Sequence, residues 1–162
     1  MNSSFNHFPV VDLFAGPGGL GEGFSSLTNQ DNTPIFKSVV AIERDTFAHQ
    51  TLHLRHFLRA FPEQGFPTEY YEYLAGNISK QTLYERFPIE KNHADNSALK
   101  ISLGDEDPSV VNKIILDRLS GAKLWVLVGG PPCQAYSLVG RSRMKNDPAF
   151  SDDIRHFLYK EY

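Results

Sequence analysis

The sequence contains very little cysteine. A single cysteine stands among 162 residues, which excludes an internal disulfide framework and gives no support to a zinc site built from several thiolates. Long apolar runs and a signal-peptide layout are also missing, which favours an intracellular, cytoplasmic protein with no membrane partner. Positive charge is not in excess, since the net charge is −3. Any contact with a polyanion must therefore come from a local patch.

The composition that remains is that of an ordinary folded domain. Apolar residues make up 41% of the chain and charged residues 22%, so a globular fold is expected and disorder is not. A length of 162 residues suits one domain that is large enough to bury a core. His49 and His53 have a spacing that could suit a metal, but no acid or thiol cluster accompanies them, so we expect them to be surface or packing residues.

Strand and helix patterns alternate along most of the chain. Strands are predicted at 8–14, 36–43, 99–103 and 123–128, and helices at 45–61, 79–87, 108–119, from about 151, and in a short segment that ends near residue 29. This order predicts an α/β fold with a doubly wound, mostly parallel sheet. Residues 62–98 fit the order poorly, and we interpret them as an insertion on the edge of the sheet, with a polar loop at 93–97.

A glycine-rich turn follows the first predicted strand. Gly16, Gly18 and Gly21 fit the pattern G-x-G-x-x-G, and glycine lets a ligand approach the backbone closely. Glu43 ends the second predicted strand, where dinucleotide sites place a carboxylate for ribose hydroxyls. The pattern alone leaves two interpretations open, a nucleotide-type cofactor site and a turn that serves only helix–strand packing.

The only cysteine lies just after the last predicted strand. The sequence Gly129-Gly130-Pro131-Pro132-Cys133 ends the strand, because proline has a fixed φ and cannot donate a ladder hydrogen bond. A thiol is thereby placed at the carboxyl end of a strand, where open α/β sheets bind their ligands. A lone cysteine is more often a small buried hydrophobe, so the flanking residues must decide between the two interpretations.

Two motifs, taken together, resemble those of the DNA cytosine-5 methyltransferases. The segment 12–19 (DLFAGPGG) resembles the first motif of that family, and 130–134 (GPPCQ) with Ser137 resembles its nucleophile motif, although Tyr136 stands where phenylalanine is more usual. The resemblance covers most of the chain and is weakest at 62–98. It implies a Rossmann-like methyltransferase fold, S-adenosylmethionine as cofactor with S-adenosylhomocysteine as product, and double-stranded DNA with a flipped cytosine as partner.

The same resemblance implies which residues contact the cofactor. Phe14 would pack on the adenine, Glu43 would hold the ribose hydroxyls, and Arg44 would lie beside the adenine. Asp105 would take the adenine amino group, with Asn77 as its rival for that role. The implied cofactor-binding set is Phe14, Ala15, Gly16, Gly18, Gly19, Leu20, Glu43, Arg44, Asp105, Gly130, Pro132 and Leu158.

Cys133 is the implied catalytic residue. Attack of its thiolate on C6 of cytosine would turn the ring into an enamine that accepts a methyl group at C5. Enzymes that methylate exocyclic amino groups instead carry Asp or Asn before Pro-Pro, whereas Gly130 stands there in this chain. The residues expected to face DNA are Gln134, Ser137, Arg141 and Arg143, the last two in a basic segment suited to phosphates.

Several parts of the family pattern are not found in these 162 residues. They include the Glu-Asn-Val acid motif, a later arginine motif and a target-recognition domain. We therefore expect residues 1–162 to be the N-terminal part of the catalytic domain, as a fragment or split half that is inactive without a complementary C-terminal chain and is nucleoid-associated when on DNA. The alternatives are a non-catalytic cofactor-binding or interaction module, a nucleotide-dependent oxidoreductase, and an RNA-methylating relative.

Overall fold

The computed structural model describes residues 7–61 and 65–131. Four strands form one parallel sheet: β1 (Phe8–Leu13), β2 (Phe36–Ile42), β3 (Ala98–Leu99) and β4 (Val126–Gly129). Their order across the sheet is β3-β2-β1-β4. The chain therefore adds strands outward from β1 on one side and then returns to its other side. That arrangement confirms the predicted doubly wound α/β fold and puts the topological switch point between β1 and β4.

Helices cover both faces of the sheet. Helix α6 (Pro108–Leu119) covers one face, where Val111 and Leu119 join a buried cluster with side chains of β1 and β2. Helix α2 (Thr46–Arg59) covers the other face, where Leu52 packs with three small residues, Ala15, Ala41 and Ala98. The short helix α1 (Gly19–Ser25) follows the glycine-rich turn and contacts β1 and β2. In the described part of the chain, no helix is both long enough and apolar enough to cross a membrane.

Helix α2 begins where the sequence predicts. The Asp45 carboxylate accepts hydrogen bonds from the Phe47 and Ala48 N–H groups at 3.0 and 2.8 Å, which satisfies two of the donors left free at a helix start. The buried residues of α2 are Leu52, His56 and Phe57. Helix α2 thus buries Leu52 near the carboxyl end of the sheet and His56 further along its length.

Three helices occupy the region interpreted as an insertion: α3 (Thr68–Leu74), α4 (Lys80–Arg86) and α5 (Pro88–Ser97). Helix α4 was predicted, but the predicted polar loop at 93–97 is wrong because these residues form the second half of α5. The buried residues of α5 are only Ala94 and Ser97, so the helix has no apolar stripe that a sequence pattern could reveal. Leu83, Tyr84 and Ala94 pack around Phe57 of α2, and α5 leads directly into β3.

Two strands are shorter than predicted. Strand β3 pairs through Ala98 and Leu99 with Ala41 and Ile42 and stops there, because β2 itself ends at Ile42 and no further partner is available. Strand β4 begins at Val126 rather than at residue 123. Val126 pairs with Val10, and this is the first pair between β4 and β1. Strand β4 lies at the edge of the described sheet, and Leu127 is 36% exposed.

Candidate functional site

A cavity of about 370 Å³ lies at the carboxyl ends of β1, β2 and β4. We call it the carboxyl-end cavity. Its size falls within the range of about 300–1,000 Å³ that is typical of small-molecule sites. Its lining consists of Phe14, Gly16, Ile42, Glu43, Arg44, Asp45, Ile101, Leu103 and Gly130. Five of the residues predicted to bind a cofactor (Phe14, Gly16, Glu43, Arg44 and Gly130) therefore surround one cavity at the switch point of the sheet.

Glu43 connects the two turns that form the floor of this cavity. One carboxylate oxygen accepts a hydrogen bond from the Gly16 N–H at 2.8 Å, and the other accepts from the Asp45 N–H at 2.7 Å. Each oxygen retains lone-pair capacity for a further donor. A side chain bonded in this way is held in one position, so its remaining lone pairs can accept hydrogen bonds from ligand hydroxyl groups.

The glycine-rich turn has few backbone donors to offer an anion. The Gly16 N–H is bonded to Glu43, the Gly18 N–H donates to the Ala15 carbonyl at 2.9 Å, and Pro17 has no N–H. Phosphate-binding loops instead direct several free N–H groups at the ligand. Residues 16–18 therefore suit a ligand that presents no phosphate to the turn.

Phe14, Gly16 and Gly18, three residues of the turn, have a left-handed backbone. Phe14 has a φ of 56°, which is uncommon for a bulky side chain and costs of order 1 kcal/mol or more. Gly18 has a φ of 91°, and a Cβ at that position would lie 2.8 Å from Cδ1 of the buried Leu52. Glycine is therefore required at position 18 by the fold itself, in addition to any requirement of a ligand.

Gly19 shows the opposite behaviour. Its φ is not in the left-handed region, and a Cβ built on it would meet no atom within 4 Å. The described residues alone give no reason for a glycine there. A ligand that approaches the backbone would supply one.

Asp12 is a buried acid beneath the turn. The sequence pointed to it only as the first residue of the 12–19 motif. Its side chain is fully buried on β1, and burial raises its pKa to about 6, while the Gly21 backbone N–H and Arg59 act in the opposite direction. Asp12 Oδ2 would lie 3.4 Å from a Cβ at Gly21. The lack of a side chain at Gly21 therefore lets α1 approach this carboxylate. The signal in the sequence was an ionisable residue in an otherwise apolar strand.

Other predicted residues lie near the cavity without lining it. Ala15 is buried against Leu52, and Leu20 is 49% exposed on α1. Asp105 is exposed in a turn, where its carboxylate accepts a hydrogen bond from Ser102 Oγ at 2.5 Å. Its rival Asn77 is also exposed, beyond the end of α3. Ile101 and Leu103 line the cavity in their place. The sequence predicted these two as strand residues but did not assign them to a site.

The remaining predicted residues lie outside the described part of the chain. They are Pro132, Cys133, Gln134, Ser137, Arg141, Arg143 and Leu158, together with the helix predicted from about residue 151. Gly130, at the cavity wall, precedes Cys133 by three residues.

The two histidines of α2 have structural partners. His49 Nε2 lies 3.0 Å from the Ala98 carbonyl oxygen. His53 lies between the Tyr84 hydroxyl at 2.9 Å and the Asp95 carboxylate at 2.8 Å. Their ring nitrogens therefore tie α2 to α4, α5 and β3.

Three curated proteins are similar to this chain in sequence. Type II methyltransferase M.Bpa9945I of Bacillus paralicheniformis is 33% identical over 172 aligned positions, which cover 94% of this chain. Type II methyltransferase M.DdeI of Desulfomicrobium norvegicum is 29% identical over 149 positions, or 90% of the chain. These relatives are Type II methyltransferases. Type II methyltransferase M1.HphI of Haemophilus parahaemolyticus is 40% identical over a shorter stretch of 48 positions, 30% of the chain and 12% of its own length.

The chain spans only part of these relatives. It covers 36% of M.Bpa9945I and 24% of M.DdeI. No family model matches the chain, and no solved structure matches it. The similarity is therefore to one part of each of these Type II methyltransferases, and the Rossmann-like order of strands agrees with it.

Proposed function

We propose that this chain carries the cofactor-binding and nucleophile-bearing region of a DNA cytosine-5 methyltransferase. The observation that carries the proposal is the convergence of five predicted cofactor residues around the carboxyl-end cavity. Similarity to Type II methyltransferases over more than nine-tenths of the chain supports the same conclusion. The sequence Gly130-Pro131-Pro132-Cys133-Gln134 supports the carbon-methylating type.

The residues of the cavity fit S-adenosylmethionine. Phe14, Ile101 and Leu103 supply an apolar wall suited to an adenine ring. The fixed Glu43 carboxylate can accept hydrogen bonds from the two ribose hydroxyls, and the exposed Arg44 lies beside it at the rim. Of the remaining cofactor candidates, Gly19 has open space in front of it, which would receive the methionine end. When bound, the cofactor supplies an electrophilic methyl group.

Cys133 performs the covalent step in this proposal. Its thiolate forms a bond to C6 of a cytosine that has been flipped out of the duplex, and the electron pair moved to C5 takes the methyl group. Loss of the C5 proton then expels the thiolate and restores the aromatic ring. Gln134 and Ser137 are proposed to contact the cytosine, and Arg141 and Arg143 to contact flanking phosphates.

An oxidoreductase that binds a dinucleotide is the main alternative of a different class. It would share the sheet order and an acid in the position of Glu43. It would also need free N–H groups for a pyrophosphate, whereas in residues 16–18 both N–H groups are already bonded and Pro17 has none. This difference favours a cofactor without phosphates at the turn.

Calorimetric titration with S-adenosylhomocysteine and with NAD tests the cofactor assignment. We expect S-adenosylhomocysteine to bind and NAD to bind at least tenfold more weakly. Glu43→Gln should lower the affinity for S-adenosylhomocysteine by about tenfold or more, because a neutral amide cannot replace a carboxylate that accepts at both oxygens. Glu106→Gln, at an exposed position outside the cavity lining, is the matched control and should bind normally. Equal binding of NAD, or normal binding by Glu43→Gln, would contradict the assignment.

A second experiment tests the covalent step. Duplex DNA containing 5-fluorocytosine retains the adduct, because fluorine at C5 cannot leave as a proton does. The chain is incubated with this DNA and S-adenosylmethionine, alone and together with a polypeptide that corresponds to the rest of M.Bpa9945I. An adduct formed by the unmodified chain and not by Cys133→Ser is the expected result. Cofactor binding without any adduct in either arrangement would support a non-catalytic module instead, and an adduct with RNA but not DNA would indicate an RNA methyltransferase.

A further inference from the structure

A second, larger cavity lies at the opposite end of the sheet. It has a volume of about 610 Å³ and is bordered by the first residues of β2, by α2 and by α5. We call it the amino-end cavity. Phe36, Phe61 and Phe66 contribute aromatic surface to its lining, and Lys37, Ser38 and several α2 residues contribute polar groups. It shares no lining residue with the carboxyl-end cavity, so the proposed function does not account for it.

Buried polar atoms of residues that line this cavity have no hydrogen-bond partner among the described residues. They are Ser25 Oγ, Ser38 Oγ, His56 Nε2, His93 Nδ1, and Nε and Nη1 of Arg59. His56 is only 1% exposed. Buried polar groups are nearly always paired, and an unpaired one costs about 1–3 kcal/mol. Several such atoms around one cavity indicate that a bound molecule is meant to satisfy them.

The hydrogen bonds around His56 determine which kind of partner it needs. Ser97 Oγ donates its single proton to the His93 carbonyl at 2.8 Å, because a carbonyl oxygen can only accept. The same Ser97 Oγ lies 2.8 Å from His56 Nδ1 and must therefore accept the Nδ1–H. The neutral His56 ring then carries its proton on Nδ1, and Nε2 is an unprotonated acceptor. Burial lowers the pKa of His56 to about 3, so the ring stays neutral at physiological pH.

The unpaired nitrogens of Arg59 require acceptors. Arg59 uses one terminal nitrogen for an ion pair with Glu22, and its Nε and Nη1 remain as donors. Asp12 also faces this guanidinium from β1, so part of the charge of Arg59 is already balanced. Lys37 adds a second cation to the lining, and no carboxylate lines the cavity in the described part of the chain. The lining thus carries positive charge at Lys37 and Arg59 and offers a hydrogen-bond acceptor at His56 Nε2.

We propose that the amino-end cavity binds a small molecule that joins a planar ring bearing a hydrogen-bond donor to an anionic group, the chemistry of an amino-substituted nucleoside monophosphate. The ring packs against the phenylalanines and donates from its amino group to His56 Nε2. The anionic group accepts hydrogen bonds from Lys37 and Arg59, and Ser38 Oγ bonds to the polar part between them. The volume of the cavity is sufficient for a molecule of this size.

Titration with CMP, followed by calorimetry and by ¹⁵N spectra of the histidine rings, tests this proposal. We expect CMP to bind and to shift the His56 Nε2 resonance toward the position of a nitrogen that accepts a hydrogen bond. Cytidine, which lacks the phosphate, and inorganic phosphate, which lacks the ring, should each bind at least tenfold more weakly. CMP is chosen over AMP because an adenine ring could also enter the carboxyl-end cavity. Since the proposed function places a cytosine at Cys133 and Gln134, the titration is repeated with Gln134→Ala, which should bind CMP normally if the amino-end cavity is the site.

Two variants probe the site without removing a buried partner. Lys37→Ala, at an exposed residue, should weaken CMP binding about tenfold. Ser38→Ala should weaken it about fivefold and should fold normally, because the hydroxyl it removes has no partner in the part of the chain that the structure describes. Lys113→Ala on α6, away from the cavity, should bind CMP normally, and so should Glu43→Gln. The proposal is overturned if CMP does not bind, if phosphate alone binds as tightly, or if Glu43→Gln abolishes binding while Lys37→Ala and Ser38→Ala do not.

Discussion

The two cavities border the same strand, β2, but are constructed differently. The carboxyl-end cavity is formed largely by consecutive residues of a turn and by the residues that follow β2. The amino-end cavity is formed largely by side chains from β2, α2 and α5, together with Phe66. A site made of consecutive residues leaves a short motif in the sequence, whereas a site assembled from distant segments does not.

The cavities also differ in how their polar groups are satisfied. In the carboxyl-end cavity, both oxygens of Glu43 accept hydrogen bonds from the backbone, so the site is organised before any ligand arrives. In the amino-end cavity, His56 Nε2, Ser38 Oγ and two nitrogens of Arg59 have no hydrogen-bond partner within residues 7–61 and 65–131. The first cavity contributes to the stability of the fold, while the second lowers it unless it is filled.

The largest effect is expected from a change in the glycine-rich turn, whose residue Gly16 lines the carboxyl-end cavity. Gly18→Ala would force a left-handed φ of 91° on alanine and place its Cβ 2.8 Å from buried Leu52 Cδ1. We expect a loss of about 2–4 kcal/mol in the free energy of unfolding, from backbone strain and overpacking together. Urea denaturation measures this loss.

Gly16→Ala is the matched comparison for that change. Gly16 also has a left-handed φ, of 56°, but its Cβ would meet no atom within 4 Å. Backbone strain alone then predicts a loss of about 1 kcal/mol. Equal losses in the two variants would show that Leu52 moves aside easily, and that contact with α2 does not hold the turn in place.

The next effect is the dependence of stability on pH that Asp12 introduces. Its pKa is raised from 3.8 to about 6 in the folded state, so the folded protein binds more protons than the unfolded chain between about pH 4 and pH 6. Its contribution to stability is therefore complete below pH 4 and is lost as the pH rises through 6. Asp12→Asn removes this titration, and we expect the variant to gain about 1–3 kcal/mol relative to the unmodified chain between pH 4 and pH 7.

Asp12→Asn must be compared with the unmodified chain at each pH, because the lowered pKa of His56 changes the stability with pH in the opposite direction. Its pKa is lowered to about 3, so it makes stability rise with pH between about 3 and 6.5. This contribution is the same in both proteins and cancels in the difference between them. A pH-independent difference between Asp12→Asn and the unmodified chain would contradict the assignment.

Much of the fold could be predicted from the sequence because its signals are local. Asp45 caps a helix with its own side chain, and the apolar runs at 8–14 and 36–43 correspond to β1 and β2. The ends of β3 and β4 could not be predicted, because a strand stops where its partner stops. Helix α5 was missed because the two residues that it buries are a small alanine and a serine.

The predicted site likewise divides into residues placed by local sequence signals and residues placed by packing between distant segments. The structure brings Phe14, Gly16, Glu43, Arg44 and Gly130 together around one cavity, since each lies at the carboxyl end of a parallel strand, and their role in cofactor binding stays a prediction. Leu20 and Asp105 are outside that lining, because turn and helix geometry decides where their side chains lie. Nothing in the sequence could reveal that His56 and Ser38 meet in the amino-end cavity, since only the packing of α2 on β2 brings them together.

The smallest effect on stability is expected from a substitution that tests ligand binding without disturbing the fold. Gly19 and Gly23 both lie on α1, and a Cβ at either would meet no atom within 4 Å. Alanine should therefore leave stability unchanged or raise it by about 0.5–1 kcal/mol at both positions. If S-adenosylhomocysteine approaches the backbone at the start of α1, Gly19→Ala should weaken its binding by about tenfold, while Gly23→Ala should bind as the unmodified chain does. Calorimetry on the two variants makes this comparison, and equal affinities would mean that the cofactor does not approach the backbone at Gly19.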